Sequence, residues 1–157
     1  YGGVLNIAGV PVGIKLGRHA FAERGDRDTA DGSVVVVIAT DAPLSDRNLR
    51  RLASRAMMGL GRTGSSASNG SGDYAIAFST SPQVRRAFDA ERLQTVELAN
   101  PQASAVFQAG VDAVEEAVYN SLLMATTESG NGITVQAIPL DKLRVVLREH
   151  GIAPPAK

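Results

Sequence analysis

The sequence predicts a layered fold of mixed helix and strand, and three patterns carry that prediction. Val34-Val35-Val36-Val37-Ile38 is an unbroken β-branched run, and Tyr74-Ala75-Ile76-Ala77-Phe78 alternates bulky and small side chains. Around them lie segments whose apolar residues recur every three to four positions, the mark of helices with one buried face. Strands that alternate with amphipathic helices imply helices packed on a sheet, an α/β or α+β domain, and argue against a helical bundle or a β-sandwich.

The elements follow in chain order. Val4 to Val12 is apolar and partly β-branched but broken by Gly9 and Pro11, which predicts a strand that bends or lies at a sheet edge. Lys15 to Asp31 is charged without a periodic apolar face and predicts a solvated loop or tail, the best place for a chain boundary. The valine run then predicts a central strand covered on both faces, ending at Thr40-Asp41-Ala42-Pro43. Ser45 is placed to cap a helix with Leu49, Leu52, Ala53, Ala56 and Met57 on one side, stopped by Gly59 and Gly61. A loop rich in glycine and serine, Gly61 to Gly72, feeds the strand at Tyr74. Asn100-Pro101 starts a long helix whose Phe107, Val111, Val114, Val118 and Leu122 form a buried stripe. Ile133 to Ile138 reads as a short strand, Leu140 to His150 as an amphipathic helix ended by Gly151, and Pro154-Pro155 as a tail.

Composition narrows the function. With 157 residues, 44% of them hydrophobic, the chain can bury a sizeable core. Sixteen basic residues balance sixteen acidic ones, which disfavours nucleic acid and anionic membrane surfaces as partners. The absence of cysteine excludes disulfides, thiolate metal sites and a cysteine nucleophile, and fits any redox compartment. No apolar run is long enough to cross a bilayer. The start at Tyr1, running almost at once into Val4-Leu5, suggests a segment of something longer.

Few side chains remain for chemistry. His19 lies in the charged stretch and His150 at a helix end, where a cation complements the helix dipole, so neither completes a Ser-His-Asp set. There is no zinc motif, and Gly64 to Gly70 lacks the lysine of a phosphate loop and leads into a strand. Asp41 and Asp46 read as turn and cap residues, and Asp112, Glu115 and Glu116 as the wet face of a helix. Ser33 is different. If the Gly32–Ser33 bond is cut, the freed α-amine sits on the same residue as the hydroxyl, with a reference pKa of about 7.7–8.0, and can act as its base. Gly32-Ser33 is by itself an ordinary junction between loop and strand, so this candidate rests on more than the dipeptide. Asn69-Gly70-Ser71-Gly72-Asp73 supplies a second hydroxyl and a carboxylate two residues apart at a strand entrance, where Asp73 could orient that amine.

Taken together, Gly9-Val10-Pro11-Val12-Gly13, the block from Asp31-Gly32-Ser33 through Asp41-Ala42-Pro43-Leu44, and Asn69-Gly70-Ser71-Gly72-Asp73 with Ala77-Phe78-Ser79-Thr80 resemble the DmpA-like aminopeptidases. These are self-processing hydrolases of the L-aminopeptidase/D-Ala-esterase/amidase and β-aminopeptidase type. The resemblance runs over nearly the whole chain and includes Asn120-Ser121-Leu122 and Thr126-Thr127 in the same order. It implies an α+β fold, a layered α-β-β-α sandwich represented here by its C-terminal portion. It also implies cleavage between Gly32 and Ser33, Ser33 as nucleophile, and Ser71 and Asp73 as the helper hydroxyl and carboxylate. Residues 1–32 then end an α-subunit-like part, and residues 33–157 form the nucleophile-bearing β-subunit-like part. The implied substrate is a short peptide or amino-acid amide. No cofactor or metal is implied, and the assembly is a homo-oligomer of cleaved heterodimers. Family members carry a larger upstream portion, with an oxyanion asparagine just before a Tyr-Gly pair, and Tyr1-Gly2 stands at that place here. Two other readings stay open: an acyltransferase related to the ornithine acetyltransferases, which use threonine at the cut, and an unprocessed scaffold or binding subunit.

Overall fold

The computed structural model describes residues 3–22 and 32–152. Tyr1-Gly2, most of the expected charged linker (23–31) and Pro154-Pro155 lie outside the described residues. The chain forms two compact units: Tyr1–Gly32, Leu60–Ser71 and Glu115–Lys157 make the first, and Ser33–Gly59 with Gly72–Val114 the second.

The second unit holds strand β1 (Val35–Thr40), most of helix α2 (Asp46–Arg62), strand β2 (Tyr74–Ser79) and the first half of helix α3 (Asn100–Leu123). β1 and β2 pair in parallel, Val35 opposite Tyr74 through Thr40 opposite Ser79. Parallel neighbours cannot be joined by a tight turn, and α2 is the crossover between them. Ser45 stands before α2 as expected, its carbonyl accepting from Leu49 N. Leu44, Leu52, Ala103 and Phe107 form the buried core, with Ile38 and Ala77 of the sheet packed against it.

Among the described residues the core lies on one face of the sheet, and the cover expected on its other face is not supplied by them. Burial alternates along both strands, and Val35 and Val37 are 69% and 60% exposed, as are the bulky residues of β2, with Tyr74 at 69%. A β-branched run suits a strand buried on either one or two faces, so its composition could not decide between them. Among the described residues the strand partner of β1 is β2.

Two glycines set the approach of α2 to α3 within this unit. A Cβ on Gly59 would lie 2.7 Å from the Val111 carbonyl oxygen and 2.8 Å from Val114 Cβ, and one on Gly110 would lie 2.6 Å from Leu52 Cδ1. Gly59 is therefore a point of helix contact and not the expected helix stop. α2 runs on to Arg62, where Thr63 bonds back to the Leu60 carbonyl and Gly64 turns the chain at φ 93°. A glycine at φ > 0 is the usual C-terminal cap.

In the first unit, residues 4–12 do not make the expected strand. Ile7 and Val10 exchange backbone hydrogen bonds of 3.0 and 2.9 Å around Ala8 and Gly9, both at positive φ, and a single helical turn, α1 (Val12–Lys15), follows. Val4 N and Asn6 N donate instead to the carbonyls of Gly64 and Thr63. Val10, Val12 and Leu143 are the buried core here, with Leu5, Leu123, Ile138 and Val146 packed on them. Helix α4 (Leu140–Glu149) contributes Leu143 and ends as expected before Gly151, at φ 76°. The strand expected from Ile133 to Ile138 is shorter, β4 (Ile133–Val135), and pairs antiparallel with β3 (Glu128–Gly130). The Asn131-Gly132 turn that joins them has φ 50° and 76°. Asn-Gly is a strong local hairpin signal, so β3 was readable in the sequence though not anticipated.

Candidate active site

The starts of β1 and β2 build the site. Tyr74 N donates to the Val34 carbonyl at 2.9 Å, so the two strands begin side by side, with Ser33 and Gly72 just ahead of them. Gly72 N donates to Ser33 Oγ at 2.9 Å, and Asp73 Oδ1 accepts from Val34 N at 3.1 Å. A backbone donor thus orients the hydroxyl oxygen, and a carboxylate holds the peptide that follows it. Ser33 is exposed, while Gly72 and Asp73 are half-buried. A nucleophile must be reachable, and Ser33 is not sunk among hydrocarbon neighbours.

Gly72 also lies between the hydroxyl and an aromatic ring. A Cβ there would lie 3.5 Å from Ser33 Oγ and 3.6 Å from Tyr74 Cε2, so hydroxyl and ring edge flank the same small gap.

The remaining candidates belong to the first unit. Ser71 Oγ donates to the Gly32 carbonyl oxygen at 2.7 Å, and Ser71 N donates to the Ser68 carbonyl. Of the predicted set, Ser33 and Asp73 therefore meet around Val34 in one unit, and Ser71 engages the carbonyl of Gly32 in the other. Neither Tyr74 nor the Gly72 N–H was anticipated. The spacing of Gly72 and Tyr74 gives a faint hint, but their place beside Ser33 depends on a strand register that links residues 39 apart.

Other titratable groups have structural partners. His19 Nδ1 lies 3.0 Å from the Ala20 carbonyl, and His150 Nδ1 2.8 Å from that of Val146. A hydrogen bond from Arg50 holds the Asp46 carboxyl below its ordinary range. Glu115 is not simply wet: it is half-buried, pairs with Arg62 at 3.3 Å and accepts from the Tyr119 hydroxyl at 2.8 Å. Burial, then that bond, push the Tyr119 phenol up to about 12. No group of three or more His, Asp or Glu among the described residues could hold a metal ion. A cleft of about 580 Å³ in the second unit, lined by Leu44, Asp46, Leu49, Phe78, Arg86 and Glu97 among others, lies by the far end of β2 and includes neither Ser33 nor Asp73.

The profile of peptidase family S58 matches residues 1–135, most of the chain. The chain belongs to peptidase family S58. Among S58-like proteins, the beta-peptidyl aminopeptidase BapA of Sphingosinicella microcystinivorans is 39% identical, over 93% of this chain and 40% of its own length. The L-aminopeptidase D-Ala-esterase/amidase of Ochrobactrum anthropi, described as a prototype for the serine aminopeptidases and a new variant among the Ntn hydrolase fold, superimposes with a TM-score of 0.80. Its identity is 39%, over 96% of this chain and 41% of that one. A β-aminopeptidase of a Burkholderia species gives a TM-score of 0.79 at 35% identity, over 96% and 42%. The resemblance to DmpA-like aminopeptidases therefore holds, and the fold is the α+β fold of that group. The S58 chain described here spans about 40% of the length of its curated relative.

Proposed function

We propose that this chain is the catalytic part of a serine aminopeptidase that cleaves itself between Gly32 and Ser33 and then releases the first residue of short peptides or amino-acid amides. The observation that carries the reading is the hydrogen bonding of Ser33: an exposed hydroxyl oxygen positioned by Gly72 N, followed directly by a peptide held on the Asp73 carboxylate.

Self-cleavage begins with attack of Ser33 Oγ on the Gly32 carbonyl carbon. The Ser71 hydroxyl, bonded to that carbonyl oxygen, draws charge onto it. The C–N bond breaks, the proton of the hydroxyl passes to the nitrogen, and an ester links Gly32 to Ser33 Oγ. Water hydrolyses the ester and leaves a Gly32 carboxylate and a free Ser33 α-amine. In turnover that amine, neutral near its reference pKa of about 7.7–8.0, takes the proton of its own hydroxyl and returns it to the leaving amine. Water then clears the acyl-enzyme. Asp73, anchored at Val34, and the hydroxyl of Ser71 orient the ammonium that forms and shuttle its proton.

The open face of the β1–β2 sheet points to what the activity requires. Val37, Ile76 and Phe78 stand exposed together, and a contiguous apolar surface of this kind needs cover in water. The cover is the remainder of a longer polypeptide, the upstream α-subunit-like part. Copies of the cleaved pair then assemble into an oligomer.

Ser33→Ala in the longer polypeptide should abolish both self-cleavage and turnover. Intact mass measurement of the unaltered protein should find pieces ending at Gly32 and starting at Ser33. Retained turnover in the variant refutes the nucleophile, and an uncut active protein refutes the processing.

A further inference from the structure

We infer that Tyr74, with Val35 beside it, is the apolar wall of the substrate site and sets a preference for a large apolar group next to the scissile bond. The inference rests on the reading of Ser33 as nucleophile and adds a residue that determines specificity.

Three observations carry it. The Tyr74 ring edge and the Ser33 hydroxyl flank one gap, floored by a residue without a side chain, since a Cβ on Gly72 would touch both at 3.6 and 3.5 Å. A group whose carbonyl carbon is attacked at Ser33 Oγ therefore has an aromatic edge as its neighbour. Next, the backbone that carries the ring is held in place. Tyr74 N bonds to the Val34 carbonyl and Tyr74 pairs with Val35 across the strands, so the backbone beneath the ring is fixed by the same ladder that positions Ser33. Third, the wall is bare: Tyr74 and Val35 are each 69% exposed, and the Tyr74 hydroxyl bonds to no described residue. The other described tyrosine, Tyr119, has its hydroxyl engaged with both Asn6 and Glu115. An aromatic ring offers a large contact area at low entropic cost, and burying it against substrate uses area that water otherwise covers. The rest of the open face, Val37, Ile76 and Phe78, lies further along the strands from Ser33 and is left for the covering polypeptide.

The test uses the complete self-processed enzyme and compares kcat/KM for phenylalanine amide and alanine amide of one stereochemistry. A parallel pair varies the leaving group, alanine amide against alanine anilide. Tyr74→Val keeps a good strand former at the position and removes the ring, and Tyr74→Leu serves the same readout if Tyr74→Val does not accumulate. The expected result is that the preference for the bulkier member falls about tenfold in one of the two pairs, the scale of hydrophobic-pocket discrimination. Tyr74→Phe should keep it. Equal loss on both members of each pair, or no change, overturns the inference and makes the ring a packing residue. Turnover by Ser33→Ala is the separate result that fails the underlying nucleophile assignment, whatever Tyr74 does.

Discussion

Replacing Gly59 by alanine tests a close helix contact in the second unit. The new Cβ would meet the Val111 carbonyl oxygen at 2.7 Å and Val114 Cβ and Cγ1 at 2.8 and 2.9 Å. A backbone oxygen and a Cβ cannot swing aside, so the two helices must separate. Overpacking of this kind costs roughly 1–3 kcal/mol. Alanine returns about 1 kcal/mol through its better helix propensity. The net expectation is a loss of up to about 2 kcal/mol. Gly61 sits two residues on in the same helix, is exposed, and has nothing within 4 Å of an added Cβ, so Gly61→Ala should gain about 0.5–1 kcal/mol. Gly110→Ala meets the mobile end of Leu52, 2.6 Å from Cδ1, and should fall between them. Urea unfolding of the three variants gives the midpoints, and unchanged slopes establish that the denatured state is not involved. If Gly59→Ala is as stable as Gly61→Ala, close helix contact at Gly59 is not what the residue is for.

Two further outcomes follow from the hydrogen bonds. Asp73→Ala leaves Val34 N without its acceptor and should destabilise by about 1–2 kcal/mol, whereas Asp73→Asn keeps an oxygen in reach and should recover most of it; equal losses in a denaturation series would remove Asp73 from that role. For Tyr119 the folded phenol is raised from 10.0 to about 12, so the folded state holds its proton more tightly than the unfolded one. The resulting stability is present in full below pH 10 and is lost as pH rises towards 12. After solvent screening of a partly exposed group it amounts to about 1 kcal/mol. Absorbance titration of phenolate should show a late step that Tyr119→Phe removes; its absence in the parent protein counts against the Glu115 contact.

Much of the fold was legible because its signals are local. The face of α2 through Leu52, Ala53 and Ala56 is buried as the periodicity predicts, and so is that of α3 through Phe107, Val111 and Val114. A three- to four-residue spacing needs nothing but the geometry of one helix to define a face. The alternation of Tyr74 to Phe78 likewise marks β2, and Gly151 marks the end of α4. Residues 4–12 failed for a local reason as well: Ala8-Gly9 reverses the chain, and the apolar residues either side serve the turn and the Val10-Val12-Leu143 core instead of a strand.

The sequence by itself determined the chemistry on offer. A serine behind a glycine at the head of a valine-rich strand, a Ser-Gly-Asp triplet after a flexible loop, and no cysteine or usable histidine leave few mechanisms open. What tertiary structure decided is which atoms meet. The bonds of Gly72 N to Ser33 Oγ and Val34 N to Asp73 Oδ1 join residues 39 apart, and such pairs follow from the register of two parallel strands. Periodicity says which face a side chain takes, not which residue of another strand lies opposite. The same limit hid the role of Gly59 and the bare face of β1: a glycine that ends a helix and one that admits a neighbouring helix look alike until the neighbour is in place.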